Sequence, residues 1–195
     1  MTGKDQIAQH KYAKYVFEGL RTISRFTTPQ REGKSLFSFH WSEEAGVWFP
    51  GSKIWVEVNL HYAPGGVFCG GQERVETEGE KAGQVIGISV PHRHNVDEAF
   101  FFFGTNPKNP SYLGGEIEFW LGLGEDAEKF TFTKNTCVYV PAGLGHLPTR
   151  ATKVDNPAQP IVMLVVHTAS NWTIEDIFDD KGEPIFPPGW IVEKR

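Results

Sequence analysis

The chain has 195 residues, which suits one globular domain and is too few for two. Hydrophobic residues make up 39% and charged residues 22%, so a core is expected and wholesale disorder is excluded. A net charge of −5 and a pI near 5.8 leave no basic field for a phosphate backbone, so no nucleic-acid partner is expected.

The N-terminal segment reads as a helix, with Ala8, Tyr12, Tyr15, Val16 and Leu20 at helical spacing. Residues 34–50 are aromatic and irregular, and are expected to form an arm laid over the main body. Lys53 to Tyr62 then alternates as a strand. Ile54, Val56, Val58, Leu60 and Tyr62 take one face; Trp55, Glu57, Asn59 and His61 take the other. Gly65 to Gly83 reads as a loop rich in Gly and Glu. Further strands are expected over 84–90, 98–103, 116–121, 129–133, 136–140 and 161–168, separated by turns such as Asn106-Pro107-Lys108-Asn109-Pro110. Thr173 to Phe178 is read as a short helix before a Pro-rich tail. The 15 Phe, 6 Trp and 5 Tyr, with 21 Gly and 13 Pro, fit an all-β sandwich or barrel of short strands.

Other classes drop out on simple grounds. The longest apolar run, Ile161 to Val166, is too short to cross a bilayer, so no membrane partner is expected. The N-terminal residues hold no apolar run of the signal-peptide kind. Two cysteines, Cys69 and Cys137, make no disulfide framework, and a cytoplasmic location is expected. Asn171-Trp172-Thr173 matches a glycosylation acceptor by coincidence in that setting.

Four residues carry the chemistry: His92, His94, Glu98 and His146. His92 and His94 are two apart in an extended segment, so both imidazoles leave one face, about 6.8 Å apart along the strand. Asn95-Val96-Asp97 reads as a turn that returns Glu98 on the neighbouring strand. Two imidazoles and a returning carboxylate make a three-point cradle for a divalent ion. The rigid Pro141-Ala142-Gly143-Leu144-Gly145 turn delivers His146 as a fourth donor.

With these residues the sequence resembles the cupin superfamily, whose motifs are G-x5-H-x-H-x3,4-E-x6-G and G-x5-P-x-G-x2-H-x3-N. His92, His94 and Glu98 match the first, with Gly87 and Gly104 each one residue closer than the pattern; Pro141, Gly143 and His146 match the second. Asn135 stands where the second motif opens on Gly, a substitution read as tolerable because Asn also visits left-handed backbone. Arg150 stands where it closes on Asn. The resemblance covers about residues 84–168. It implies a double-stranded β-helix, the cupin jelly-roll barrel, over 51–170, with an N-terminal helix and arm over 1–50 and a short C-terminal extension over 171–195. It also implies one metal ion held by His92, His94, Glu98 and His146.

Nitrogen and carboxylate donors suit Fe(II), Mn, Co, Ni, Cu or Zn, and Fe is placed first. If Glu98 points inward, so do Phe100 and Phe102, while Phe101 and Phe103 pack outward. Outward aromatics need a cover, either the N-terminal arm or a second subunit, and a homodimer is preferred. Arg150 shares the parity of Pro148 and is carried as a candidate anion clamp at the barrel mouth, against the plainer reading of a surface Arg paired with an acid. His61 is carried as a candidate general base, against that of a hydrogen-bonded structural histidine. His10, His40 and His167 have no motif context, and Cys137 reads as a small buried hydrophobe. The functional expectation is a metal-dependent enzyme on a small organic molecule, with Fe(II)-type dioxygenase chemistry (an oxidoreductase) ahead of a redox-neutral isomerase, epimerase or lyase. The remaining alternative is a non-catalytic small-molecule-binding cupin.

Overall fold

The computed structural model describes residues 36–40, 53–61, 67–68, 73–75, 85–87, 91–169 and 172–190, together with Lys11 and Pro64. The expected N-terminal helix lies outside the described residues. Among them the chain is built of strands, apart from one 3-10 turn at Gly124–Asp126. The first five strands are β1 (Leu36–His40), β2 (Trp55–His61), β3 (Val67–Phe68), β4 (Glu73–Val75) and β5 (Val85–Gly87). Next come β6 (His92–His94), β7 (Glu98–Phe103), β8 (Tyr112–Leu121) and β9 (Glu128–Lys134). Then follow β10 (Thr136–Val140), β11 (His146–Val154), β12 (Ile161–His167) and β13 (Ile174–Asp176).

Two antiparallel sheets face each other. One has the order β1-β2-β12-β7-β10; the other runs β13-β6-β11-β8-β9, with β3 also paired to β11. Among the described residues no ladder joins them. The architecture is thus an all-β, double-sheet antiparallel sandwich, open and not closed into the barrel that the resemblance implied. Strands β4 and β5 form a separate hairpin. Three expectations need correction. The arm contributes β1 to a sheet, the Gly/Glu-rich loop contains β3 and β4, and the expected helix over 173–178 is instead β13. Ile174 and Asp176 pair with His94 and His92 there, so the edge of the sheet claims this segment as a strand. No helix among the described residues is long and apolar enough to cross a membrane.

Period two sets the interior. Ile161, Met163 and Val165 on β12, Phe100 and Phe102 on β7, and Leu113, Ile117 and Phe119 on β8 are buried between the sheets. Each such side chain contributes about 1.5–3 kcal/mol on removal from water. Phe103 points outward and is exposed, as parity requires. On β2 the polar-looking face is the inward one. Trp55, Asn59 and His61 are buried because they pair with the inward residues His167, Met163 and Ile161 of β12. Cys137 is exposed, since Val138 and Val140 hold the inward positions of β10.

Two motif positions acquire local reasons. A Cβ on Gly104 would meet the Tyr112 carbonyl oxygen at 1.9 Å, so this crossing of chains admits only glycine. Asn135 is not in left-handed backbone, contrary to the reading of the sequence; Leu147 alone among the described non-glycine residues has positive φ. The Asn135 side chain instead accepts from Gly104 N (3.1 Å) and donates to the Pro110 carbonyl (2.6 Å).

Candidate metal centre

The site is built from one cross-strand row in each sheet. In one sheet, Val140, Glu98, His167 and Trp55 lie side by side on β10, β7, β12 and β2. In the other, Asp176, His92, His146 and Leu121 do so on β13, β6, β11 and β8. His94 follows His92 by two residues and keeps its face. His92, His94, Glu98, His146 and His167 are all buried.

Turns around the site hold these rows in register. Gly143, with φ 83, lets the chain turn after Pro141, and its N–H donates to the His94 carbonyl at 2.8 Å. Asp97 accepts from Tyr139 Oη (2.7 Å) and Ala142 N (2.9 Å), and Asn95 Oδ1 accepts from Thr173 N (2.8 Å). The turn between β6 and β7 is therefore tied to both flanking segments.

The four motif residues are brought together as expected. Donor atoms of His92, His94 and His146 lie within 4.8 Å of one another, and so do those of His94, Glu98 and His167. His92 Nε2 and His94 Nε2 are 3.1 Å apart. Glu98 Oε2 lies 2.8 Å from His146 Nε2 and 3.5 Å from His94 Nε2. Donors about 2.1 Å from one ion at right angles would stand about 3 Å apart, the spacing found here.

The tautomers suit a cation. His94 Nδ1 faces the Thr173 carbonyl at 2.9 Å, and His146 Nδ1 faces that of Leu144 at 3.3 Å. A carbonyl only accepts, so each Nδ1 carries the hydrogen and each Nε2 presents a lone pair to the site. His146 Nε2 and Glu98 Oε2 are both buried without a hydrogen-bond partner among the described residues. Buried acceptors left that way are costly, and a divalent ion between them would satisfy both. His94 is pushed down to about 4, mainly by burial and against the pull of Glu98, so it is neutral and able to bind a metal near pH 7.

Two residues escaped the sequence reading. His167 Nε2 lies 3.1 Å from Glu98 Oε1, stacked on Trp172 at 4.4 Å. No motif marks it, but the inward parity of Ile161, Met163 and Val165 extends to it. Asp176 shares a face with its partner His92; its Oδ1 is buried without a hydrogen-bond partner, and burial raises its carboxyl.

Two other candidates are not brought to the site. Arg150 lies on the outer face because a register shift between His146 and Thr149 on β11 reverses the expected parity. It pairs with Glu118 at 3.3 Å and sits 4.7 Å over the Trp190 ring. The reading as a surface Arg paired with an acid therefore replaces the anion clamp. His61 is six residues along β2 from Trp55, about 20 Å down the sandwich, and so is no base for this site. Burial pushes it down to about 4.

No protein-family profile matches the chain, and no curated protein matches it. Among solved structures it is similar to oxalate decarboxylase of Bacillus subtilis, at 14% identity and a TM-score of 0.44, over 74% of this chain and 28% of that one. It is similar to an oxalate oxidase at 15% identity and a TM-score of 0.46, over 88% and 69% of the two chains. It is also similar to vicilin of hazelnut, Corylus avellana, at 10% identity and a TM-score of 0.49, over 86% and 38%. The chain thus spans less than a third of the oxalate decarboxylase it matches.

Proposed function

We propose that His92, His94, Glu98 and His146 hold one divalent transition-metal ion, and that the protein is an enzyme acting on a small organic molecule. The observation that carries this reading is the buried contact of two acceptors, His146 Nε2 and Glu98 Oε2, at 2.8 Å. Such an ion supplies redox or Lewis-acid chemistry at coordination positions the protein leaves open.

The chain's own residues prepare the surroundings. Phe100 is fully buried, its ring 5.7 Å from that of His146 and 4.9 Å from that of Phe119. With Val140 and Leu147 it keeps the inner side of the site dry and apolar, which suits an apolar or aromatic substrate. Iron(II) and dioxygenase chemistry are the first assignment, since three imidazoles and one carboxylate suit that ion.

A second reading is a redox-neutral isomerase or lyase, favoured by Asp176. Such chemistry needs a proton acceptor beside the ion, and Asp176 places a carboxylate on the face and row of His92.

The experiment is elemental analysis of full-length protein purified without chelators, followed by substrate panels. Near-stoichiometric iron with oxygen uptake on catechols or aromatic acids supports the dioxygenase. Manganese, nickel or zinc, with turnover that consumes no oxygen, supports the second reading. Protein that takes up no divalent ion even on reconstitution overturns both.

A further inference from the structure

His167 lies outside both histidine motifs, yet its ring is set against one oxygen of Glu98 and away from the other. Oε1 is 3.1 Å from His167 Nε2, while Oε2 is the oxygen near His146 and His94. Neither ring nitrogen of His167 makes a hydrogen bond among the described residues, and Glu98 Oε1, in ion-pair contact at 3.1 Å, is the carboxylate oxygen that Nε2 meets.

The ring is also held from its other sides. Trp172 stacks on it at 4.4 Å with 6° between the planes, Trp55 meets it edge-on at 4.8 Å, and His94 meets it at 4.8 Å and 81°. Side chains fixed to this degree hold the groups they touch in one orientation.

We propose that His167 is a positioning residue for Glu98: it holds Oε1, so that Glu98 presents only Oε2 to the ion shared with His92, His94 and His146. The inference rests on the metal reading above and extends it. Without that anchor the carboxylate is free to turn and offer either oxygen, which weakens the site and alters its geometry.

The test is a cobalt(II) titration of metal-free, full-length protein, followed by visible absorption. His167→Phe is expected to weaken binding by about tenfold or more and to shift the cobalt bands. His167→Gln keeps an N–H donor and is expected to recover most of the affinity and the original bands. If His167→Phe does not fold, His167→Asn takes its place, its amide being too short to reach Oε1, with the same expectations. Wild-type affinity and unshifted bands in the Phe or Asn variant would overturn the inference alone. A Gln variant as impaired as the Phe variant would also overturn it. Wild-type protein that binds no cobalt would overturn the metal reading and this inference together.

Discussion

His146 Nε2 and Glu98 Oε2 face each other at 2.8 Å inside the sandwich, and both are acceptors once His146 Nδ1 has donated to the Leu144 carbonyl. The two sit on different sheets, so the pair exists only in the folded protein. His146→Ala and His92→Ala are each expected to lose most of the bound metal while keeping the far-ultraviolet signature of a β protein. Elemental analysis beside circular dichroism checks this, and full metal occupancy in both variants refutes the site.

Acid should weaken the metal-free protein before most carboxylates titrate. Burial holds His61 and His94 down to about 4 in the folded state, against about 6.5 when unfolded. Between those values the unfolded chain binds more protons, so stability is present above pH 6.5 and is lost as pH falls toward 4. For fully buried His61 the loss is up to about 3 kcal/mol. Denaturant unfolding at pH 7 and pH 4.5 measures it, and His61→Leu should make the decline shallower. An equal decline in that variant removes His61 from the account.

Arg150→Ala should leave metal content and turnover unchanged, because the side chain lies on the outer face with Glu118 and Trp190. Its cost should appear as a modest loss of stability, about 1 kcal/mol or less. A raised KM with unaltered stability would return Arg150 to the substrate.

Gly104→Ala should destabilise the fold by about 1–3 kcal/mol, because its methyl would meet the Tyr112 backbone carbonyl oxygen at 1.9 Å and force a shift there. Equilibrium unfolding decides this, and a wild-type midpoint would mean that β8 shifts freely there.

Much of the candidate metal site was legible from spacing. The His92, His94 and Glu98 triplet and the turn before His146 are local patterns, and local patterns survive in sequence. The inward Phe100 and Phe102 followed from parity with Glu98. His167 and Asp176 were missed because they join the site only through cross-strand pairing, with Glu98 and His92 respectively, and no sequence interval records that register. Arg150 was misplaced because parity counts assume an unbroken strand, and the shift between His146 and Thr149 breaks it. The inward face of β2 was obscured because Asn59 and His61 look like solvent residues until β12 is laid beside them.

The arrangement of donors in one row of each sheet has a consequence for how the chain checks itself. A slip of one residue turns a whole strand over, so a misregistered β6, β7 or β11 would point its ligands out of the sandwich while still burying apolar side chains elsewhere. Hydrophobic contact alone tolerates such an error poorly but does not forbid it. A bound ion would forbid it, because donors from three strands must agree on one position before it can be held. The metal would then act as a proofreader of strand alignment, stabilising the one pairing in which all of its ligands converge.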